Sequence, residues 1–287
     1  MWQTGVPLSN FTSWRVGGAA EFLALPRSVL ELQAILERGQ GLPLTFLGAG
    51  SNLLVSDRGI PGLVICTKYL RGVRWTADRV YVGAGEPLPK LAWQLAKRGW
   101  AGLEWAVGIP GTAGGMAVMN AGAQGGCAAD CVVGVEVWTT AGQRQWLARE
   151  DLQYSYRHSV LQGGNAIVTE VVLQLQPGHD PQSVLARTRQ NYEHRHRTQP
   201  YHLPSCGSVF RNPPNYAAGW LIDRCGLKGY QLGQAQVSEL HANFILNLGG
   251  AKAREIYELM ETIKLKVWEQ WSILLQPEVK MIGDFSY

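Results

Sequence analysis

The stretch GIPGTAGGMAVMNAGAQGG at residues 108–126 decides how the rest of the chain is read. Seven of its nineteen residues are glycine. An interior glycine costs a helix or strand roughly 0.5–1 kcal/mol relative to alanine, so this density implies backbone that turns through positive φ or approaches something closely. The gaps hold Ile109, Ala113, Met116, Ala117, Val118 and Met119, too apolar for a flexible linker. Two readings fit: a tight turn entering a buried helix, or a cradle for a large flat ligand with polar ends. Glycine-rich loops at strand–helix junctions recur at phosphate and dinucleotide sites, which favours the cradle.

A second loop of this kind, GAGSNLLV at 48–55, follows an expected strand at 44–47. Its backbone N–H groups, with Ser51 and Asn52, could hold a pyrophosphate, or the segment could be a structural turn. Position 53 is Leu, so the third glycine of a Rossmann fingerprint is missing. No Gly-Lys-Ser/Thr follows, so it is not a P-loop. Two such loops together point to a long cofactor with a diphosphate in its middle.

The remaining chain is consistent with an enzyme of ordinary composition. Its 287 residues suffice for two or three domains, with 46% apolar and 17% charged residues. The net charge is +4 and no Lys/Arg run exceeds two neighbours, so no nucleic-acid footprint is evident. Five cysteines at 66, 127, 131, 206 and 225 are an odd number in a large chain, which argues against a disulfide framework. Cys127 and Cys131 are four apart, without a second pair or nearby His to complete a zinc set. The start MWQTGVPLSN lacks the basic and apolar regions of a signal peptide, and no run of eighteen apolar residues occurs. The expectation is a reduced, soluble, cytoplasmic protein with no metal.

Periodicity and turn residues give the elements. Strands are expected at 20–25, 44–47, 53–55 and 63–67, with a helix started by Ser28 and stopped by Gly39. A hairpin spans 73–82, and a helix at 87–98 has Gly99 past its end. Antiparallel strands at 132–140 and 143–147 turn at Ala141-Gly142, and a long strand covers 165–175. Pro177-Gly178 marks a boundary. Beyond it come a helix at 183–197, a proline-broken segment at 198–215, a short helix at 216–225, a strand at 242–247, the longest helix at 251–271 and a last strand at 278–282.

Several polar groups stand out. In YSYRHS at 154–159, the planar fork of Arg157 suits a substrate carboxylate, or the segment is a solvated turn. In GSVFRNP at 207–213, Ser208 follows a glycine that permits close approach, or the segment is a β-turn. No GxSxG elbow is present, which disfavours a serine hydrolase. Glu278, between Pro277 and Val279, is either a half-buried carboxylate with a shifted pKa or one on a strand's wet face.

Taken in order, GAGSNLLV, GIPGTAGGMAVMNAGAQGG, YSYRHS, GSVFRNP, HANFILN at 241–247 and PEVKMIG at 277–283 resemble the UDP-N-acetylenolpyruvoylglucosamine reductase family across nearly the whole chain. The resemblance implies an α+β protein: a two-subdomain FAD-binding fold of the vanillyl-alcohol-oxidase type plus a C-terminal α+β substrate domain. Its parts would be residues 1–66 with 275–287 returning to them, 67–178, and 179–274 for substrate. It implies that NADPH reduces FAD, which reduces UDP-N-acetylglucosamine enolpyruvate to UDP-N-acetylmuramate for peptidoglycan synthesis. By likeness, Gly48, Ala49, Gly50, Ser51, Asn52, Leu53, Gly111, Thr112, Gly114, Gly115, Asn120 and Arg195 would bind the cofactor, with Arg195 near the flavin ring. Arg157 and Glu278 would polarise the enolpyruvyl carboxylate, Ser208 would donate the proton, and Tyr156 and Asn212 would hold substrate, Asn212 at the diphosphate. One departure is the short link from Leu175 to Ser183, which leaves no room for the Tyr-bearing substrate loop of longer members. A monomer is expected, without membrane or nucleic-acid partners. The rival readings are an oxidase of the same cofactor fold acting on a sugar or lactone, and a nucleotide-binding module without catalysis.

Overall fold

The computed structural model describes residues 2–287 and resolves two compact units. One comprises Trp2 and Gln3, Phe22–Ala49 and Gly62–Arg195; the other comprises Thr4–Glu21, Gly50–Pro61 and His196–Tyr287. The chain passes from one unit to the other within the strands Trp2–Pro7, Ala19–Ala24 and Ile60–Cys66. The 1–66 segment is therefore shared between the two units.

In the first unit, valine-rich runs build a five-stranded antiparallel sheet in the order Arg144–Ala148, Val132–Thr139, Ala166–Gln174, Arg79–Gly83, Val73–Trp75. β-Branched residues suit a pleated, half-buried surface, and the register sets Val135 opposite Val171 and Val137 opposite Val168. The expected turn at Ala141-Gly142 closes the first hairpin, where Gly142 takes φ +77°. The helices Leu88–Lys97 and Ala113–Met119 share the buried cluster that contains Val80, Val82, Val135 and Val171. They contribute Leu88, Leu91, Leu95, Met116 and Ala117 to it. Truncating one such leucine to alanine costs about 2–5 kcal/mol.

A second cluster in this unit packs the helix Val29–Arg38 on the parallel pair formed by Leu44–Leu47 and Ile60–Cys66, whose register sets Leu44 opposite Leu63. Ser28 caps the helix as its sequence predicts: the Glu31 N–H donates to Ser28 Oγ at 3.1 Å. The Arg27 N–H donates to the Glu31 carboxylate at 2.8 Å.

The second unit is organised around the helix Ala253–Trp271, which buries Ile256, Leu259, Met260, Ile263 and Val267. Against it lie the helix Ala218–Arg224 and a meander of Gln231–Leu232, Ala235–Val237 and Ile245–Asn247. Trp14 is fully buried in the same core, and its indole N–H donates to Ile245 O at 2.7 Å. The last strand, Lys280–Ile282, pairs in parallel with Leu53–Val55, setting Lys280 opposite Leu53. The end of the chain thus returns to the strand that follows the GAGSN loop.

Three differences from expectation have local causes. The short helix starts at Ala218 rather than 216 because the Asn212 side chain accepts the Ala218 N–H at 3.0 Å, which fixes its first turn there. The strand expected from 242 starts at Ile245 because Phe244 N donates back to His241 O, closing a turn. Residues 122–126, read as part of the glycine-rich stretch, form with Cys127 a small hairpin turned by Gln124 and Gly125, both at positive φ.

Candidate active site

In the first unit the glycine-rich stretch enters the helix Ala113–Met119. Thr112 is its N-cap, and its Oγ1 accepts the Gly115 N–H at 3.3 Å. The turn before the helix is locked to its neighbours: Leu88 N donates to Gly111 O, Ala113 N to Glu86 O and Gly114 N to Ala84 O. Asn120 ends the helix in the left-handed conformation at φ +42°.

The glycines of this stretch divide by what a Cβ would meet. At Gly114 it would lie 2.9 Å from Ala84 Cβ, so that glycine serves close packing of helix on strand. At Gly126 it would lie 2.4 Å from the Trp105 ring, and at Gly108 2.3 Å from Arg195 Cδ. At Gly115, outside the helix's own backbone, it would meet only Thr112 Oγ1 within 4 Å among the described residues, at 3.6 Å. At Gly48 it would meet only that same oxygen, at 3.4 Å. The two loops therefore converge on Thr112, and each keeps an open face there. This surface admits a flat ligand that a β-branched side chain would displace, so the residues fit a cofactor of the FAD type. Cys66 Sγ donates to Gly48 O at 3.3 Å and steadies the turn.

Arg195 is brought to this stretch, its stem crossing Gly108. Asn120, expected among the cofactor ligands, is buried and engaged in structure: its Nδ2 donates to Ser155 O at 2.8 Å, and its Oδ1 accepts the Ala129 N–H at 3.0 Å. It ties the end of the helix to the YSYRHS segment. That segment is a tight turn in which Ser155 and His158 exchange backbone hydrogen bonds, and Arg157 sits at φ +56°. The Arg157 guanidinium donates to Gly122 O at 2.9 Å and lies 5.2 Å from the centre of the exposed Tyr156 ring. Tyr154 points inward, where burial first, and then the Cys131 and Cys127 thiols, raise its pKa and keep the phenol protonated.

In the second unit, Gly50 takes φ +65° and a Cβ there would lie 1.9 Å from Phe11 O, so glycine is required. Leu53 opens the strand paired with the last one. Asn52 Nδ2 donates to Glu278 O at 3.1 Å, and Lys280 N donates to Asn52 O at 3.0 Å. Ser51 is half-buried beside it, as Ala49 is in the first unit. The GSVFRNP segment runs alongside residues 276–279: Glu278 N donates to Val209 O at 2.8 Å and Arg211 N to Gln276 O at 2.9 Å. Ser208 and Glu278, seventy positions apart in sequence, therefore flank one backbone bridge. The Ser208 hydroxyl makes no hydrogen bond among the described residues. Asn212 commits its carbonyl to the Ala218 N–H, which leaves its NH2 group to donate elsewhere.

Three residues here escaped sequence reasoning. Cys206 is buried beside Glu278; burial first, and then that carboxylate's charge, push its thiol pKa well up. Lys280 opens the last strand two residues after Glu278, and burial followed by the nearby Arg211 guanidinium lowers its pKa. The third is the buried Asn243 of HANFILN, and an amide in so apolar a run was its available signal.

No helix among the described residues is long and apolar enough to cross a membrane. Residues 20–148 match the FAD binding domain family, and residues 199–282 match the C-terminal domain of UDP-N-acetylenolpyruvoylglucosamine reductase. The chain is 58% identical over 283 residues to the UDP-N-acetylenolpyruvoylglucosamine reductase of Trichormus variabilis, covering 97% of this chain and 86% of that one. It is 56% identical over 288 residues to the enzyme of that name from Synechococcus elongatus, covering 99% and 95%. Among solved structures it is similar to the reductase of the same name from Thermus caldophilus, with a TM-score of 0.86, 36% identity and coverage of 99% and 100%.

Proposed function

The chain belongs to the UDP-N-acetylenolpyruvoylglucosamine reductase family, and from that premise we infer which of its residues do the work. It is a flavin-dependent oxidoreductase that uses FAD and NADPH to reduce UDP-N-acetylglucosamine enolpyruvate to UDP-N-acetylmuramate, in the making of peptidoglycan precursors. The observation that carries this function into the structure is the open face shared by Gly48 and Gly115 around Thr112 Oγ1.

In our proposal Gly48, Ala49, Gly50, Ser51, Asn52, Leu53, Gly111, Thr112 and Gly115 hold FAD, with Arg195 alongside. Gly114 and Asn120 act one step back, by packing the helix and tying down its end. FAD, when bound, supplies a hydride to the terminal carbon of the enolpyruvyl ether. Negative charge then builds on the neighbouring carbon and spreads into the carboxylate. Arg157 stabilises that charge, and a guanidinium fixed in place does so without reorganising. Glu278 polarises the same group from the strand end. Ser208 keeps its proton until the carbanion forms and then gives it up on one face. A hydroxyl is a weak acid, but a carbanion of this kind is a strong base, and fixed geometry makes the transfer feasible. The unengaged Asn212 NH2 donates to the diphosphate, and Tyr156 packs on the substrate.

The three-part division at 66, 178 and 274 remains our proposal for how ligand duties are shared along the chain. Both NADPH and a nucleotide-activated sugar are intracellular metabolites, which supports cytoplasmic residence. A monomer is also proposed, and light scattering tests it. The function itself is tested without oxygen: NADPH must bleach the flavin absorbance of the purified protein, and UDP-N-acetylglucosamine enolpyruvate must restore it. A colourless protein, or colour restored only by oxygen, would contradict the assignment.

A further inference from the structure

The end of the glycine helix is joined to the Arg157 turn by three side chains. Asn120 reaches Ser155 O, and the buried Ser159 hydroxyl donates to Val118 O at 2.7 Å. Gln162 makes the third link, and it alone of the three touches the Arg157 peptide. Its Nε2 donates to Arg157 O at 2.9 Å and to Val118 O at 3.3 Å. One amide NH2 therefore clamps the last turn of the helix to the residue held at φ +56°. That region is disfavoured for residues other than glycine, asparagine and aspartate, so the turn needs outside support. The guanidinium's direction follows from the peptide, and its contact to Gly122 O lies on the hairpin that leaves the same helix.

We propose that Gln162 is a positioning residue for the reduction: it ties Arg157 to the helix that carries Gly115 and so sets where the guanidinium acts on the substrate. The inference rests on the assignment of Arg157 to the enolpyruvyl carboxylate. Gln162 touches neither substrate nor reacting atoms in this scheme. Only its donor capacity is used, since both contacts are from Nε2 to carbonyl oxygens. Val118 O keeps the Ser159 hydroxyl when Gln162 is replaced, whereas Arg157 O loses this donor.

The test is stopped-flow kinetics of the two half-reactions in the FAD-loaded enzyme, with Gln162→Met, Gln162→Lys, Arg157→Lys and the Gln162→Met/Arg157→Lys double variant. Gln162→Met keeps the length and removes the donor. It is expected to slow reoxidation by the enolpyruvyl substrate about 10- to 100-fold, the scale of a misplaced group. Reduction by NADPH should change less than about threefold, and flavin content should stay full. Gln162→Lys keeps N–H donors and should recover most of the loss. Because Gln162 acts through Arg157, the double variant should be no slower than Arg157→Lys alone. Arg157→Lys with normal reoxidation would remove the assignment of Arg157. Slow Arg157→Lys beside normal Gln162→Met would overturn the inference about Gln162. Equal slowing of both half-reactions, lost flavin, or additive effects in the double variant would also overturn it, in favour of a general structural role.

Discussion

The Asn243 amide grips the Phe210 peptide from both ends: Phe210 N donates to Oδ1 at 2.9 Å, and Nδ2 donates to Phe210 O at 2.8 Å. Val209 N also donates to Asn243 O, while Glu278 N donates to Val209 O. Asn243 thereby fixes the segment that carries Ser208 between two neighbours. Asn243→Leu keeps the volume but strands two buried backbone groups. Each stranded group costs about 1–3 kcal/mol, so a clear drop in the urea midpoint of the FAD-free protein is expected. An unchanged midpoint would mean that Phe210 finds other partners.

Flavin retention tests the cradle. A valine at Gly115 would put methyl groups into the open face beside Thr112, so Gly115→Val is expected to purify without FAD. The matched control is Gly163→Ala, where a Cβ would meet nothing closer than 3.9 Å and the backbone does not take a positive φ. Gly99 would be a poor control. The sequence presents it as a helix stop, but it takes φ +71° and a Cβ would sit 2.1 Å from His179 O. Absorbance of the two purified proteins decides the matter. A yellow Gly115→Val with full stoichiometry would place the cofactor elsewhere.

The contrast between Gly115 and Gly99 shows what a sequence discloses. The density of glycine at 108–126 disclosed a backbone that other groups approach closely, as they do at Gly108, Gly114 and Gly126. It did not tell the glycines apart: Gly114, Gly126 and Gly108 are taken up by Ala84, Trp105 and Arg195, contacts set by residues distant along the chain. The helix at Val29–Arg38 was legible from Ser28 and Gly39, since capping is local chemistry. The pairing of Lys280–Ile282 with Leu53–Val55 is non-local: resemblance to a family supplied the return of 275–287 to residues 1–66, but not the strand that receives it. Asn120 and Asn243 were seen as motif letters. Their hydrogen bonds reach thirty-five and thirty-three residues away and leave no periodic trace.

The cysteines give a pH prediction. Burial, with Asp130 next, pushes the Cys131 thiol up to about 12, and burial also raises Cys66 and Cys206. The folded state therefore keeps protons that the unfolded state loses above about pH 8.5, the ordinary thiol value. Their contribution to stability is complete below that value and is lost as pH rises toward the folded pKa. Stability should fall between about pH 8.5 and 11, and Cys131→Ala should show a shallower fall than the parent. Urea midpoints measured across that range provide the check. Parallel slopes would mean that Cys131 already ionises in the folded protein. Alkylation at pH 8 should reach the half-exposed Cys127 and Cys225 before the three buried thiols.

Ser208 offers the most direct test of the assigned chemistry, because the proton it is assigned belongs to one half-reaction alone. In Ser208→Ala, reduction of bound FAD by NADPH should proceed nearly as in the parent, since no substrate carbon is protonated in that step. Reoxidation by UDP-N-acetylglucosamine enolpyruvate should fall by about 10²–10⁴-fold, the scale of a positioned general acid. Ser208→Cys should recover part of the loss, since a thiol is the stronger acid. Anaerobic stopped flow, following the flavin absorbance as it bleaches and returns, measures both steps on one sample. A slow return after a normal bleach is the predicted result. A return at the parent rate would contradict the account and move the proton donor away from Ser208.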